Sequence, residues 1–179
     1  KLGLGDTSDR GDAAGEMGGD LPAVDLGTGR TAVAIAAGAR HTCAVLDNGQ
    51  LKCWGHNAGG QLGLGDTANR GDGPGEMGDN LPAVDLGTGR TAVSVTTGQE
   101  YTCAVLDDGS VKCWGGNSQG RLGLGDTVSR GNAPGPVGGR VGGGGPPSRG
   151  RAPGLVVAAP WAPAADVVVV ADDGPPAEV

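Results

Sequence analysis

The sequence predicts an all-β repeat protein, and three observations lead to that prediction. The chain repeats itself at an offset of 60 residues without insertion or deletion, so that Cys43 and Cys53 recur as Cys103 and Cys113. Short apolar runs alternate with glycine-rich turns, which is typical of many short strands. Each copy also contains a β-hairpin pattern. Repeats of this length bury their apolar faces mainly against neighbouring copies, and this favours a binding scaffold over a single buried active site.

The first predicted strand of each copy covers residues 32–38 and 92–98. Val33 and Ile35 alternate with alanines, and the second copy has the same alternation. A period of two is the pattern of a strand. The small partner residues predict an inner strand on which neighbouring strands pack closely.

The segment 41–55 predicts a β-hairpin, because two short apolar runs flank an Asp-Asn-Gly turn. A two-residue turn would set Ala44 opposite Cys53. A three-residue loop, with Gly49 as a left-handed bulge, would set Cys43 opposite Cys53. We favour the second register because it places the four apolar residues of the hairpin on one face, whereas a slip by one residue would divide them.

A glycine-rich segment follows the hairpin, in which Leu62 and Leu64 are expected to anchor the chain. A loop of about 25 residues then leads to the next strand, and loops of this length are unusual unless they are functional, disordered or packed by their own side chains. The loop contains the sequence Arg70-Gly71-Asp72. Its near identity to residues 10–24 fits a packed, duplicated element as well as a functional one.

The string WGHNAGGQLGLG, which follows GARHTCAVLDNGQLKC, resembles the repeat of the regulator of chromosome condensation family. The second copy reads WGGNSQGRLGLG. The resemblance implies a seven-bladed β-propeller with four-stranded blades, of which this chain would hold an incomplete part, about two blades and a piece of a third. The residues that match the blade signature, expected to be structural, are Trp54, Gly55, Asn57, Gly60, Leu62, Gly63, Trp114, Gly115, Asn117, Gly120, Leu122 and Gly123.

The period divides the chain into a repeat region, 1–136, and a tail, 137–179. Within the repeat region we expect a partial copy at 1–55, a full copy at 56–115 and a partial copy at 116–136. The tail is rich in glycine and proline and has no matching copy. Such composition favours a low-complexity, flexible segment.

The two ends of the chain favour the interpretation that it is a fragment of a longer propeller. Lys1 stands where Gln61 and Arg121 stand in the later copies, so the chain begins in the middle of a repeat. The break in the period after Gly135 leaves two hypotheses for the tail. It is either a genuine linker or the product of a shifted reading frame or a translated intron.

The resemblance implies a protein-interaction module without a catalytic site of its own and without a cofactor. Its expected partners are the remaining blades and another protein. One alternative is a guanine-nucleotide exchange factor for a small GTPase, which rests on the family alone. A second alternative is an extracellular surface- or carbohydrate-binding repeat protein. No nucleophile elbow, phosphate-binding loop or paired acid and base is present in the sequence, so we do not expect an enzyme.

The four cysteines allow three interpretations. The separation within Cys43/Cys53 and Cys103/Cys113 is too long for a zinc knuckle. In the favoured register each pair lies at a non-hydrogen-bonded position, where strands approach closely enough for a cross-strand disulfide. Free buried thiols are the remaining possibility. Disulfides would indicate an extracellular or secretory compartment, and free thiols the cytoplasm or nucleus.

Other candidate sites have simpler structural interpretations. The Arg-Gly-Asp sequence at residues 70–72 becomes Arg-Gly-Asn in the third copy, which favours a solvated turn over an adhesion motif. Asp66, Asn69 and Asp72 lack the alternate spacing of a calcium loop. His41 and His56 are replaced in the next copy, which favours a strand-end packing residue and a loop residue over catalysis, and we expect no metal site.

The charge and hydropathy of the chain exclude two further classes of partner. The net charge is −7 and no basic stripe is present, so we do not expect direct binding to nucleic acid. The most apolar stretch, residues 155–171, is interrupted by Pro160, Pro163 and Asp166. We therefore expect no membrane span.

Overall fold

The computed structural model describes residues 1–138 and shows two three-stranded antiparallel sheets, which confirms the all-β prediction. The first sheet contains β1 (Ala32–Ala37), β2 (His41–Leu46) and β3 (Leu51–Gly55), and the second contains β4 (Ala92–Thr97), β5 (Tyr101–Leu106) and β6 (Val111–Gly115). Two short 3-10 helices, Gly18–Asp20 and Gly78–Asn80, lie in the connecting loops. The predicted tail lies outside the described residues, apart from its first two.

The hairpin register is the one that the sequence favours. Cys43 pairs with Cys53 and Val45 pairs with Leu51, and the second hairpin has the equivalent pairs. The loop closes through a bond of 2.8 Å from the Leu46 amide to the Gln50 carbonyl. Gly49 has φ +76°, which is the left-handed conformation that glycine adopts without strain. The three-residue loop therefore fixes which side chains share a face.

The expectation of an inner first strand is wrong at Val33 and Ile35 in the first copy and at Val93 in the second. The β1–β2 and β4–β5 ladders each contain a bulge, in which Val33 and Val93 are left out of the pairing. Both valines are consequently exposed. After the bulge, Val95 of β4 is buried as expected, whereas its equivalent in β1, Ile35, is 55% exposed.

The two sheets stack face to face, with β4 packed against β1 and β2. The face of the first sheet that carries the Cys43–Cys53 pair meets the face of the second that carries Val95, Ala104 and Trp114. The two equivalent sheets therefore contact each other through opposite faces, as successive blades of a propeller do. The opposite face of the first sheet is covered by side chains of the two connecting loops.

The fourth strand that the resemblance implies is reduced to a single bridge in each blade. Gly55 exchanges two backbone hydrogen bonds with Arg70, at 2.7 and 3.1 Å, and Gly115 does the same with Arg130. The extended conformation stops at the next residue, because Gly71 has φ +80° and Gly131 has φ +83°. A left-handed residue at this point turns the chain away from the sheet edge.

Candidate functional site

The contact between the two blades is centred on a buried chain of hydrogen bonds, which we call the interblade seam (His41, Thr102 and Gln61). The Thr102 hydroxyl donates to the Gln61 carbonyl at 2.9 Å. Because that proton is used, the hydroxyl oxygen accepts from Nε2 of His41, also at 2.9 Å. All three residues are fully buried. The seam links β2 of one blade to β5 of the next.

The imidazole of His41 is held in its neutral form. Burial lowers the pKa of His41 from 6.5 to about 4, and the nearby His56 contributes in the same direction. Nδ1 of His41 has no hydrogen-bond partner among the described residues. A second proton on the ring would therefore place an unpaired charge inside the seam. The sequence predicts a packing role for His41. The structure adds a hydrogen bond from its imidazole to Thr102, a residue 61 positions away.

The four cysteines form two disulfides, Cys43–Cys53 and Cys103–Cys113, each with a Cα–Cα distance of 4.1 Å. Each disulfide lies at a non-hydrogen-bonded pair of its hairpin, as the sequence predicts. The first disulfide is completely buried by the second blade. The second faces away from the first blade and is partly accessible to solvent. The two chemically identical links therefore differ in exposure.

The signature asparagine of each blade holds the glycine-rich turn in place. Nδ2 of Asn57 donates to the carbonyls of Asp66 and Ala68, both at 3.0 Å, while Oδ1 accepts from the Leu62 amide at 2.9 Å. Asn117 makes the same set of bonds in the next copy. Both side chains are fully buried. These contacts give the asparagine a structural role.

The other signature residues surround this turn. Nε1 of Trp54 donates to the Lys1 carbonyl at 2.8 Å, and Nε1 of Trp114 donates to the Gln61 carbonyl at 3.1 Å. Gln61 is therefore shared between the tryptophan of the second blade and the seam. The remaining signature positions, which form the turn and its leucine anchor, are Gly55, Gly60, Leu62, Gly63, Gly115, Gly120, Leu122 and Gly123.

The side chains of the Arg-Gly-Asp sequence are used within the loop. Arg70 pairs with Asp66 at 2.6 Å, and Nδ2 of Asn69 donates to Asp72 at 3.2 Å. Oδ1 of Asp66 accepts from the Ala68 amide at 3.0 Å. The three candidate calcium ligands thus lie near one another, but their oxygens accept hydrogen bonds from the protein itself. Among residues 1–138, no group of histidine, cysteine and acidic side chains has the arrangement of a metal site.

A glutamate in each long loop accepts three backbone hydrogen bonds, a feature that sequence reasoning missed. Oε2 of Glu76 accepts from the amides of Gly71, Asp72 and Gly73 at 2.9, 3.1 and 2.9 Å. Three successive amides that converge on one point form an anion-binding concavity, which we call an amide nest. We name this one the second nest (71–73).

The first nest (11–13) has the same geometry in the preceding loop. Oε2 of Glu16 accepts from the amides of Gly11, Asp12 and Ala13 at 2.8, 3.1 and 3.0 Å. Backbone donation, led by Ala13, lowers the pKa of Glu16 below its usual value. The sequence signal for both nests is a glutamate five residues after the glycine of Arg-Gly-Asp, repeated at the offset of 60.

A lysine in the last strand of each hairpin binds loop carbonyls, and sequence reasoning missed this contact too. Nζ of Lys52 donates to the carbonyls of Leu26 and Gly78 at 2.9 and 2.7 Å. Nζ of Lys112 donates to the carbonyl of Leu86 at 2.9 Å. The sequence contains a signal for this contact, because a lysine between two apolar residues of a predicted strand recurs at the offset of 60 residues.

The second blade exposes the face that is buried in the first, and we call it the distal face (Cys103, Val105, Val111 and Cys113). Val111 is 50% exposed, whereas its equivalent, Leu51, is 0% exposed. On the opposite sheet face the order of exposure is reversed. Ile35 of the first blade is 55% exposed, and its equivalent in the second blade, Val95, is 5% exposed. Val111 and Ile35 are thus exposed at positions whose equivalents are buried by the neighbouring blade. Within residues 1–138, no helix has the length and apolar character to cross a membrane.

Comparison with known proteins identifies the same repeats. Two family models, both described as "Regulator of chromosome condensation (RCC1) repeat", match the chain. One matches residues 32–61 and 92–121, and the other matches residues 48–105. The two segments of the first model begin at the first strand of each blade and include both hairpins.

Relatives and solved structures match over part of their length. The chain is 39% identical over 98 residues to the ultraviolet-B receptor UVR8 of Arabidopsis thaliana, which covers 54% of this chain and 20% of UVR8. It is 38% identical over 93 residues to the mouse serine/threonine-protein kinase Nek9, which covers 52% of this chain and 9% of Nek9. The crystal structure of human WBSCR16 is similar at 22% identity and a TM-score of 0.48, over 62% of this chain and 26% of that one. The chain thus spans a fifth or less of the curated relatives named here.

Proposed function

Because this chain belongs to the regulator of chromosome condensation (RCC1) repeat family, we propose that it is a protein-interaction module made of stacked propeller blades. Its first partner is a further blade on the distal face. Its second is a separate protein that contacts the loops between the blades. A small GTPase as that second partner is a prediction of the family resemblance alone.

The exposed distal face is the observation that carries the proposal. It presents a valine and a partly exposed disulfide where the first blade buries Leu51 and its own disulfide. Transfer of apolar surface out of water contributes about 25 cal/mol for each Å² that is buried. A complementary blade already covers the equivalent face within this chain. The same chemistry would stabilise another blade-like surface on Val111.

Site-specific photo-crosslinking in the organism of origin tests the proposal. A photoreactive phenylalanine analogue replaces Val111 on the distal face, and in a matched control it replaces Val93, which is 57% exposed but lies in the bulge of β4. We expect crosslinks from position 111 to a polypeptide with the same repeat, and none from position 93. Equal yields at the two positions, or none at either, would contradict the proposal.

The two disulfides favour a second candidate, an extracellular surface-binding repeat protein. Disulfides persist in oxidising compartments and are rare in the cytosol and nucleus. The test is to block free thiols at the moment of cell lysis and then map the peptides without reduction. Recovery of linked Cys43–Cys53 and Cys103–Cys113 peptides supports this candidate, and recovery of four blocked thiols excludes it.

A further inference from the structure

The third copy contains an amide nest without its internal carboxylate. The third nest (131–133) consists of the amides of Gly131, Asn132 and Ala133, which are equivalent to those of the second nest (71–73). The residue that would supply the carboxylate, equivalent to Glu76, is Pro136. Among residues 1–138, the structure contains no hydrogen-bond acceptor for these three amides.

The backbone at the start of the third nest matches that of the occupied ones. Gly131 has φ +83°, against +80° for Gly71 and +92° for Gly11. The Gly131 carbonyl accepts from the Gly65 amide at 3.0 Å, and the Gly71 carbonyl accepts from the Gly5 amide at 3.2 Å. The preceding bridge to the sheet is also retained. The left-handed glycine, the bond to its carbonyl and the sheet bridge are therefore retained although the glutamate is missing.

The residues of the third nest suit a negatively charged ligand from outside. Asn132 replaces the aspartates of the other two nests, which removes a negative charge beside the amides. Ala133 is compatible with occupancy, because Ala13 contributes to the first nest. The neighbouring cation, Arg130, is paired with Asp126 at 2.7 Å and so does not fill the nest. Asn132 and Ala133 are exposed, so a ligand has access from solvent.

We propose that the third nest binds the carboxylate of an acidic side chain that comes from outside residues 1–138. The ligand class follows from the two sister nests, each of which holds one carboxylate oxygen with three amides. The carboxylate comes from a protein partner or from the acidic residues of this chain's own tail, Asp166, Asp172, Asp173 and Glu178. The site lies on a loop and not on the distal face, so it does not depend on the proposed stacking of a further blade.

An NMR titration of the full chain with sodium acetate tests this site. The backbone amide resonances of the third nest are followed at neutral pH, with sodium chloride at matched ionic strength as the reference. The amides of the second nest serve as a control within the same molecule, because Glu76 already occupies it. We expect a saturable downfield shift of the Gly131, Asn132 and Ala133 amides with acetate, and no comparable shift in the second nest.

Two variants locate the source of the carboxylate. Pro136→Glu restores the internal ligand, and we expect it to move the third-nest resonances in the same direction without acetate and to remove most of the acetate response. If the unaltered chain shows no response to acetate, a second variant tests whether the tail already fills the nest. In it Asp166, Asp172 and Asp173 are changed to Asn and Glu178 is changed to Gln. A response in that variant assigns the ligand to the tail. No response in either form, or an equal response to chloride, overturns the proposal.

Discussion

His41 joins the two blades through a buried hydrogen bond, and its burial makes the stability of the fold depend on pH. Its Nε2 bonds to Thr102 across the seam, while Nδ1 has no partner among the described residues. The titratable neighbour that affects the pKa of His41 is His56, which lowers it further. No described carboxylate is therefore hydrogen-bonded to the ring to stabilise its protonated form.

The folded protein is expected to lose stability as the pH falls from about 6.5 to about 4. In this window the unfolded state binds a proton at His41 that the folded state excludes, because the folded pKa is depressed. The loss from this residue is up to about 3 kcal/mol. Urea unfolding at several pH values measures it. The His41→Gln variant should lose this part of the pH dependence, and an unchanged slope in the variant would show that His41 is not responsible.

Asn57 is expected to be the most sensitive polar residue of the glycine-rich turn. Asn57→Ala removes an acceptor for the buried Leu62 amide and donors for two carbonyls in partly buried surroundings. We expect the free energy of unfolding to fall by about 2–3 kcal/mol, since buried groups left without partners carry their full desolvation cost. Denaturant unfolding measures this change.

The matched control for that measurement is Asn80→Ala. Asn80 is exposed and makes one hydrogen bond, to the Gly75 carbonyl at 3.0 Å. Exposed substitutions of this kind change stability by about 0.5 kcal/mol or less. A loss for Asn57→Ala no greater than for the control would mean that the turn does not depend on the signature asparagine.

At the scale of the element, the two hairpins have the same register and linkage but different surroundings. The second blade covers the disulfide of the first hairpin, whereas the disulfide of the second hairpin lies on the face that points away from the first blade. A reductant must reach a disulfide sulfur, so exposure governs the order of reduction. We expect mild reduction to open Cys103–Cys113 before Cys43–Cys53. Alkylation at early times, followed by peptide mass spectrometry, measures the order, and simultaneous or reversed opening would contradict the stacked arrangement.

The hairpins were predictable because their information is local. The Asp-Asn-Gly loop and the positions of Cys43 and Cys53 select one register, since the alternative divides the apolar residues between faces. The bulge at Val33 was not predictable from the same kind of reasoning. A run of alternating valine, isoleucine and alanine carries no marker for the residue that leaves the ladder.

The features that join distant segments were the ones that the sequence did not reveal. The seam bond between His41 and Thr102 joins non-equivalent positions of two copies, so the period of 60 residues gives no direct indication of it. The second nest was easier to predict than the seam, because Gly71 and Glu76 have the same spacing as Gly11 and Glu16 in the preceding copy. The length of the loop suggested packing by its own side chains, but length alone did not indicate which side chain would provide it.

At the scale of the whole molecule, the sheet face that carries the disulfide occurs twice, once buried and once exposed. In the first blade it is closed by the second blade, and in the second blade it is open. Stability in such arrays is approximately the sum of the intrinsic stability of each repeat and the contacts between neighbours. A substitution at the closed surface should therefore affect both blades. The same substitution at the open surface should affect one blade weakly.

Hydrogen exchange in two equivalent variants, Leu51→Ala and Val111→Ala, tests the stacking of blades most directly. Leu51 is completely buried and its loss should cost about 2–5 kcal/mol, whereas Val111 is half exposed. We predict that Leu51→Ala reduces amide protection in β4 and β5 as well as in β1–β3, and that Val111→Ala leaves protection in β1–β3 unchanged. Loss of protection confined to β1–β3 in the Leu51→Ala variant would contradict the account, because it would show that the blades do not stabilise each other.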